Sequence, residues 1–264
     1  MLEVPGGRLA YSVTGEGPLV VAVHGMGSNR HAFRVLTPAL VAAGYRVAAL
    51  DLRGHGESST GWATYDAEHV AQDVLALIRQ LGGPAVIVGS SIASAAATFA
   101  AASAPDAVRG IVLIGGQIRP RPLNLFLRIA FRLVLRSPTL WGVFYRTLYP
   151  GGKPADFKAD TRRLLTQLRQ PGRMEAVGRV LDPSTVPWGQ RAAAVTCPVL
   201  VVMGTKDPDF PNPAEEARAT VAAFSASPSV DLRMVDGSGH YPFLDAPAVT
   251  TDAITSFVGR TVDA

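Results

Sequence analysis

Short apolar runs alternate along this chain with stretches whose apolar positions recur every three or four residues. Leu9–Val13 and Leu19–His24 read as strands. Phe33, Leu36 and Leu40 then fall at helical spacing, and Arg46–Asp51 is again strand-like. Val70, Val74, Leu77, Ile78 and Leu81 predict an amphipathic helix that stops at Gly82-Gly83-Pro84. Ala85–Gly89 predicts a strand, Ile92–Ala102 an alanine-rich helix and Val108–Ile114 another strand. After an interruption the alternation resumes: strand Val199–Met203, helix Ala214–Phe224, strand Val230–Val235 and a closing helix Val249–Val258. Strands that read as continuous apolar runs and alternate with helices imply an α/β fold with a mostly parallel sheet covered on both faces. No internal repeat or low-complexity tract breaks this pattern.

The interruption spans residues 117–191. It carries 14 Lys/Arg against 4 Asp/Glu, whereas the whole chain has 25 against 21. Its texture is helical and apolar: Leu123–Arg136 has arginines at 128, 132 and 136 on one stripe, and Leu140–Leu148 is rich in aromatics. Two short runs, Arg162–Leu168 and Met174–Leu181, are separated by Pro171-Gly172. Prolines at 120, 122, 138, 150, 154, 183 and 187 punctuate the pieces. The expectation is a core formed by residues 1–116 and 192–264, with 117–191 a helical lid over the open edge of the sheet. Partial burial beneath a partner surface, or a basic amphipathic helix on a membrane, would give a similar texture; the lid is the preferred reading.

Composition narrows the class. Hydrophobic residues make up 48% and charged residues 17%, as in a packed globular protein. The single cysteine, Cys197, excludes an intrachain disulfide and reads as a small buried side chain at a strand start. The first residues show no leader pattern and no apolar run is membrane-span length, so a cytoplasmic protein is expected. The arginines ride on an apolar insertion without a recognised nucleic-acid motif, so no nucleic-acid partner is expected.

The strand–helix junction Val86-Ile87-Val88-Gly89-Ser90-Ser91-Ile92-Ala93 carries the strongest chemical signal. A nucleophile on so tight a turn brings the residues two positions to either side close together, so both must be small. Gly89 and Ala93 satisfy this for Ser91; Val88 and Ile92 do not for Ser90. A serine needs a base, and of the histidines at 24, 31, 55, 69 and 240 the last lies in a glycine-rich loop after the final strand. His31 and His69 read as solvated positions on surface helices. An imidazole base in turn needs a carboxylate, and strand Val199–Met203 leads to Gly204-Thr205-Lys206-Asp207-Pro208-Asp209. Asp207 is the preferred acid and Asp209 the alternative. The glycine-rich turn His24-Gly25-Met26-Gly27 offers backbone N–H groups, so Met26 and Ile92 are assigned as oxyanion donors. His24 and the Asp51–Ser58 loop read as bracing rather than as a metal or acid–base cluster.

These segments resemble the α/β-hydrolase superfamily: His24-Gly25-x-Gly27, Asp51-x-Arg53-Gly54-His55-Gly56-x-Ser58, Gly89-x-Ser91-x-Ala93, Gly204-x-x-Asp207 and Gly239-His240. They are similar in particular to its compact lidded branch of esterases, C–C bond hydrolases, cofactor-free haloperoxidases and epoxide hydrolases. Two positions depart from the pattern: Ala93 replaces the usual final glycine, and Ser90 a His, Gln or similar residue. A serine at 91 argues against the epoxide hydrolase and haloalkane dehalogenase chemistries, which use aspartate there. The resemblance implies hydrolysis of a carboxylic ester, lactone or thioester of a small-molecule substrate through an acyl-enzyme on Ser91, with no cofactor and no metal. A C–C bond hydrolase and a non-catalytic ligand-binding member are the alternatives. Trp141 and Phe144, in the insertion, are the candidate substrate-binding side chains.

Overall fold

The computed structural model describes residues 1–118, 125–180 and 189–262. Strands β1 (Leu2–Val4) and β2 (Gly7–Leu9) form a small antiparallel hairpin, which the sequence pattern did not separate from the strand after it. The main sheet contains β3 (Tyr11–Thr14), β4 (Leu19–Val23), β5 (Arg46–Leu50), β6 (Ala85–Ser90), β7 (Val108–Ile114), β8 (Val199–Gly204) and β9 (Val230–Val235). Their order is β3-β5-β4-β6-β7-β8-β9, parallel throughout except for β3 against β5. The run expected as one strand, Leu9–Val13, breaks at Ala10, whose N–H donates to Ser58 Oγ at 2.9 Å and whose carbonyl accepts from Asp51 N–H at 2.8 Å. That residue is tied to the loop after β5.

Alternation along each strand divides the core into two layers. Val21, Val23, Ile87, Leu113 and Val201 face one side, packed beneath α2 (Ala67–Leu81) and α3 (Ala93–Ser103). Val20, Ala22, Val86, Val88, Val112 and Leu200 face the other, against α1 (Leu36–Ala42) and the closing helix. β4, β6 and β8 are buried at every position, whereas β9 at the sheet edge is mostly half-buried or exposed. Helix α2 is delimited as its sequence implies: Asp66 accepts from His69 N–H at its start, and Gly82 turns left-handed at its end.

Five described helices lie between β7 and β8: α4 (Leu125–Val134), α5 (Pro138–Thr147), α6 (Phe157–Leu168), α7 (Arg173–Arg179) and α8 (Gly189–Ala192). Prolines 120, 122, 183 and 187 lie outside the described residues. The chain then runs through α9 (Pro213–Ala223), α10 (Pro242–Asp245) and α11 (Pro247–Val262).

The loop after β5 is anchored by a buried charge pair. Arg53 Nε and Nη2 each donate to the Asp73 carboxylate of α2 at 2.7 Å, and the guanidinium lies 4.6 Å from the Trp62 ring centroid. Removing one member leaves the other charge buried without compensation. Asp73→Ala is therefore expected to lower unfolding free energy by about 3–5 kcal/mol in chemical denaturation, and Asp73→Ala with Arg53→Met by much less.

Candidate active site

Ser91 occupies the junction between β6 and α3 with φ 55°, the one left-handed non-glycine backbone among the described residues. Its N–H donates to the Ile114 carbonyl at the end of β7 at 2.7 Å, and its carbonyl accepts from Ser94 N–H at 2.9 Å. The crowding expected from the sequence is present: a Cβ on Gly89 would sit 2.5 Å from the Ala93 carbonyl oxygen. Gly25, after β4, is equally constrained, because a Cβ there would lie 2.8 Å from Ser91 Cβ. Two parallel strands thus end at the same level, with glycine as the spacer. The Ser90 hydroxyl is buried and has no partner among the described residues.

The glycine-rich turn after β4 is held by two neutral histidines. His24 Nε2 accepts from Leu52 N–H at 3.1 Å, so its proton is on Nδ1, which donates to Gly25 O at 2.7 Å. His55 Nε2 accepts from Gly27 N–H at 3.1 Å, and its Nδ1 donates to Arg53 O at 3.0 Å. Burial lowers the His24 pKa to about 4 and the His55 pKa to about 3. Asp51, fully buried, accepts from the N–H groups of Arg30 (2.6 Å) and Glu57 (2.9 Å) and pairs with the Arg30 guanidinium. This is the bracing loop expected for residues 51–58. The N–H groups of Met26 and Ile92 make no hydrogen bond among the described residues.

The indole of Trp141 in α5 is 1% exposed and its Nε1–H donates to Gly27 O at 3.1 Å. A Cβ on Gly27 would fall 2.2 Å from that ring. Trp141 offers almost no surface to a ligand and acts instead as a buttress behind the turn. Phe144, half-buried, packs on Trp141 and Phe131 at ring-centroid distances of 5.3 and 5.5 Å.

His240 lies in the loop between β9 and α10, its ring against the turn after β7: a Cβ on Gly115 would stand 3.1 Å from its Cε1. Since Ser91 N–H is bonded to Ile114, Ser91 and the His240 imidazole share that turn as a common support. His240 Nδ1 donates to Asp207 Oδ2 at 2.8 Å, and Asp209 Oδ2 is 3.5 Å from the same nitrogen. Asp209 N–H in turn donates to Asp207 Oδ1 at 3.0 Å. Burial alone would lower the His240 pKa; the Asp207 charge, with that of Asp209 and the hydrogen bond, prevails and raises it to about 9. The loop itself is pinned by Asp245, which accepts from Gly239 N–H at 2.8 Å and from Ser238 Oγ. Behind it, Tyr145, Tyr149 and Tyr241 form a buried cluster in which the first two hydroxyls are 2.7 Å apart.

Donor atoms of Asp207, Asp209 and His240 lie within 4.8 Å of one another, the one grouping among the described residues with metal-ligand spacing. A cation there would take the Nδ1 that Asp207 now holds. A cavity of about 800 Å³ opens elsewhere, beside β3, and its lining includes neither Ser91, Asp207 nor His240. The arginines along it are already paired, Arg30 with Asp51 and Glu57 and Arg34 with Asp156. His31 sits there beside Asp160, and His69 bonds Asp66 as part of the α2 cap; neither approaches the Ser91 turn. Bracing by His24 and the 51–58 loop was expected; the tautomers in which His24 and His55 are held are the feature that residue spacing could not reveal.

Residues 20–253 match the model of the alpha/beta hydrolase family. The chain is 29% identical to 2-(acetamidomethylene)succinate hydrolase of Mesorhizobium japonicum, over 96% of its own length and 92% of that protein's. Among solved structures, a thermophilic esterase from Thermogutta terrifontis is 27% identical, with a TM-score of 0.77 and coverage of 98% and 96% of the two chains. A bromoperoxidase from Bacillus anthracis shares the fold, with a TM-score of 0.82, 20% identity and 96% of both chains covered.

The three site histidines give stability a defined pH dependence. His24 and His55 have folded-state pKa values below the unfolded value of about 6.5. Their contribution is complete above that pH and is lost as pH falls toward 4. His240, raised, contributes fully below pH 6.5 and loses its share as pH rises toward 9. Unfolding free energy measured by denaturant titration should therefore peak near pH 6.5, with the acid-side slope shallower in His55→Gln.

Proposed function

Since the chain belongs to the alpha/beta hydrolase family, we propose that it is a serine hydrolase cleaving a carboxylic ester, lactone or thioester of a small to medium, apolar substrate. The strained backbone of Ser91 carries this reading. A serine is held left-handed, at a cost of about 1–3 kcal/mol, only where its surroundings enforce it, and here that presents the hydroxyl above the sheet. Ser91 Oγ attacks the acyl carbon while His240 takes its proton, and Asp207 stabilises the imidazolium that forms. The N–H groups of Met26 and Ile92, both without protein partners among the described residues, receive the oxyanion. His240 then returns the proton to the leaving group, and a water molecule activated by the same imidazole releases the acid. The likeness to the Thermogutta terrifontis esterase supports ester bonds as the substrate class. Residues 117–191 serve as a lid over this site, with Trp141 bracing the Met26 turn and Phe144 on the substrate side.

Labelling with a fluorophosphonate probe, followed by turnover of p-nitrophenyl esters of rising chain length, tests the reading. Ser91→Ala should abolish labelling and lower kcat by about 10⁴–10⁶, while Ser90→Ala retains most of both. Labelling at Ser90, or no labelling of the wild-type protein, rules the assignment out.

The acid is tested through the base. Asp207→Asn should slow turnover by up to about 10⁴, because its amide can stabilise the wrong imidazole tautomer. For the wild-type enzyme kcat/KM should rise with pH through the raised His240 pKa, since only neutral imidazole accepts the serine proton. Asp209→Asn removes one of two anions near Nδ1, so it should move that limb to lower pH with little loss of the plateau. An unchanged limb in Asp209→Asn would remove Asp209 from the base's environment.

A further inference from the structure

The outward face of the helices between β7 and β8 is built for contact. On α4, Leu125, Ile129, Arg132 and Leu133 are exposed, and so is Arg136 in the turn that follows the helix. At about 100° per residue the four helical positions fall within a single arc of about 100°. Phe131, Val134 and Leu135 lie on the other side of the helix and pack toward the protein; Phe131 meets Phe144. Helix α5 repeats the arrangement, with Leu140, Val143 and Arg146 exposed while Trp141 and Tyr145 are buried. The exposed apolar side chains on the two helices range from 42% accessible at Leu140 to 71% at Leu125.

We propose that the outer face of α4 and α5 docks the protein onto an anionic lipid surface. Residues 125–148 contain four arginines and neither aspartate nor glutamate. Apolar and cationic side chains share one face, so the leucines, isoleucine and valine can enter the acyl region while arginine stems lie along it and their guanidinium groups reach the phosphates. A second copy of the chain is a poor occupant, because a twofold contact would set these arginines against their own copies without an acid on either helix to pair them. Spanning is excluded for this pair: each helix has ten residues, and no described helix is long and apolar enough to cross a membrane. The inner face can still cover the Ser91 site, since docking uses the opposite side of the same helices.

The test is co-sedimentation of the full chain with vesicles of phosphatidylcholine alone and of phosphatidylcholine mixed with phosphatidylglycerol. Binding is expected to the mixed vesicles only, and to weaken as salt is raised. Arg132→Gln and Arg136→Gln should each weaken it roughly fivefold, and Ile129→Ser with Leu133→Ser by roughly tenfold or more. Because these positions are exposed, the variants should keep the wild-type thermal transition, and the arginine variants test the proposal even if the double serine variant is destabilised. Equal binding to both vesicle types, binding unchanged in the variants, or no binding by the wild-type chain would each overturn the proposal. So would a wild-type dimer in light scattering that the same substitutions split, which would assign the face to a second copy.

Discussion

The ends of β4 and β6 approach so closely that no side-chain carbon fits between them, and the rest of the site is organised around this contact. Ser91 can present its hydroxyl only if its backbone turns left-handed, and the turn survives because Ile114 O, the first residues of α3 and Gly25 enclose it on three sides. The parallel sheet supplies the rigidity. β4, β6 and β7 are hydrogen-bonded neighbours, buried at nearly every position, so the loops after them emerge side by side. A position that would destabilise an isolated turn is thereby held by the packing of the whole core.

Within this small region, histidines of the same kind are driven to opposite charge states by the groups that face them. His24 and His55 each meet one backbone carbonyl and one backbone N–H, a pairing that only a neutral ring can satisfy on both sides. Protonation would set a donor against a donor and bury a charge. His240 meets two carboxylates through Nδ1, and the same burial that keeps the other rings neutral strengthens their pull. The glycine turn therefore stays fixed over the pH range in which His240 changes its proton.

The sheet was legible because β4, β6, β7 and β8 are buried on both faces, and two-sided burial writes an uninterrupted apolar run. The edges were less so: Ala10 interrupts an apparently continuous strand only because Ser58 and Asp51, far along the chain, claim its backbone. At the site, Gly89 and Ala93 marked Ser91 because steric crowding is local. The choice between Asp207 and Asp209 was not local. Both reach the same nitrogen, and which one hydrogen-bonds depends on a 2.8 Å against a 3.5 Å separation that spacing does not encode. The aromatic texture of the insertion marks Trp141 as apolar and unsuited to solvent, but its contact with Gly27 joins residues more than a hundred positions apart, which no local pattern encodes. Helical periodicity showed that α4 has two faces, but not which one looks outward.

One stretch of the insertion is not a guest on the core at all. His240 N–H donates to Leu148 O at 2.9 Å, and carbon atoms added at Gly151 and Gly239 would collide with Gly237 O and Leu148 O at 2.0 and 2.4 Å. Residues 148–151 and the histidine loop are thus fitted backbone to backbone, with Gly151 and Gly239 each leaving no room for a side chain. For anyone exchanging this segment between relatives, the natural cut lies after this stretch rather than at the end of β7. A chimaera that replaced it would misplace the His240 imidazole.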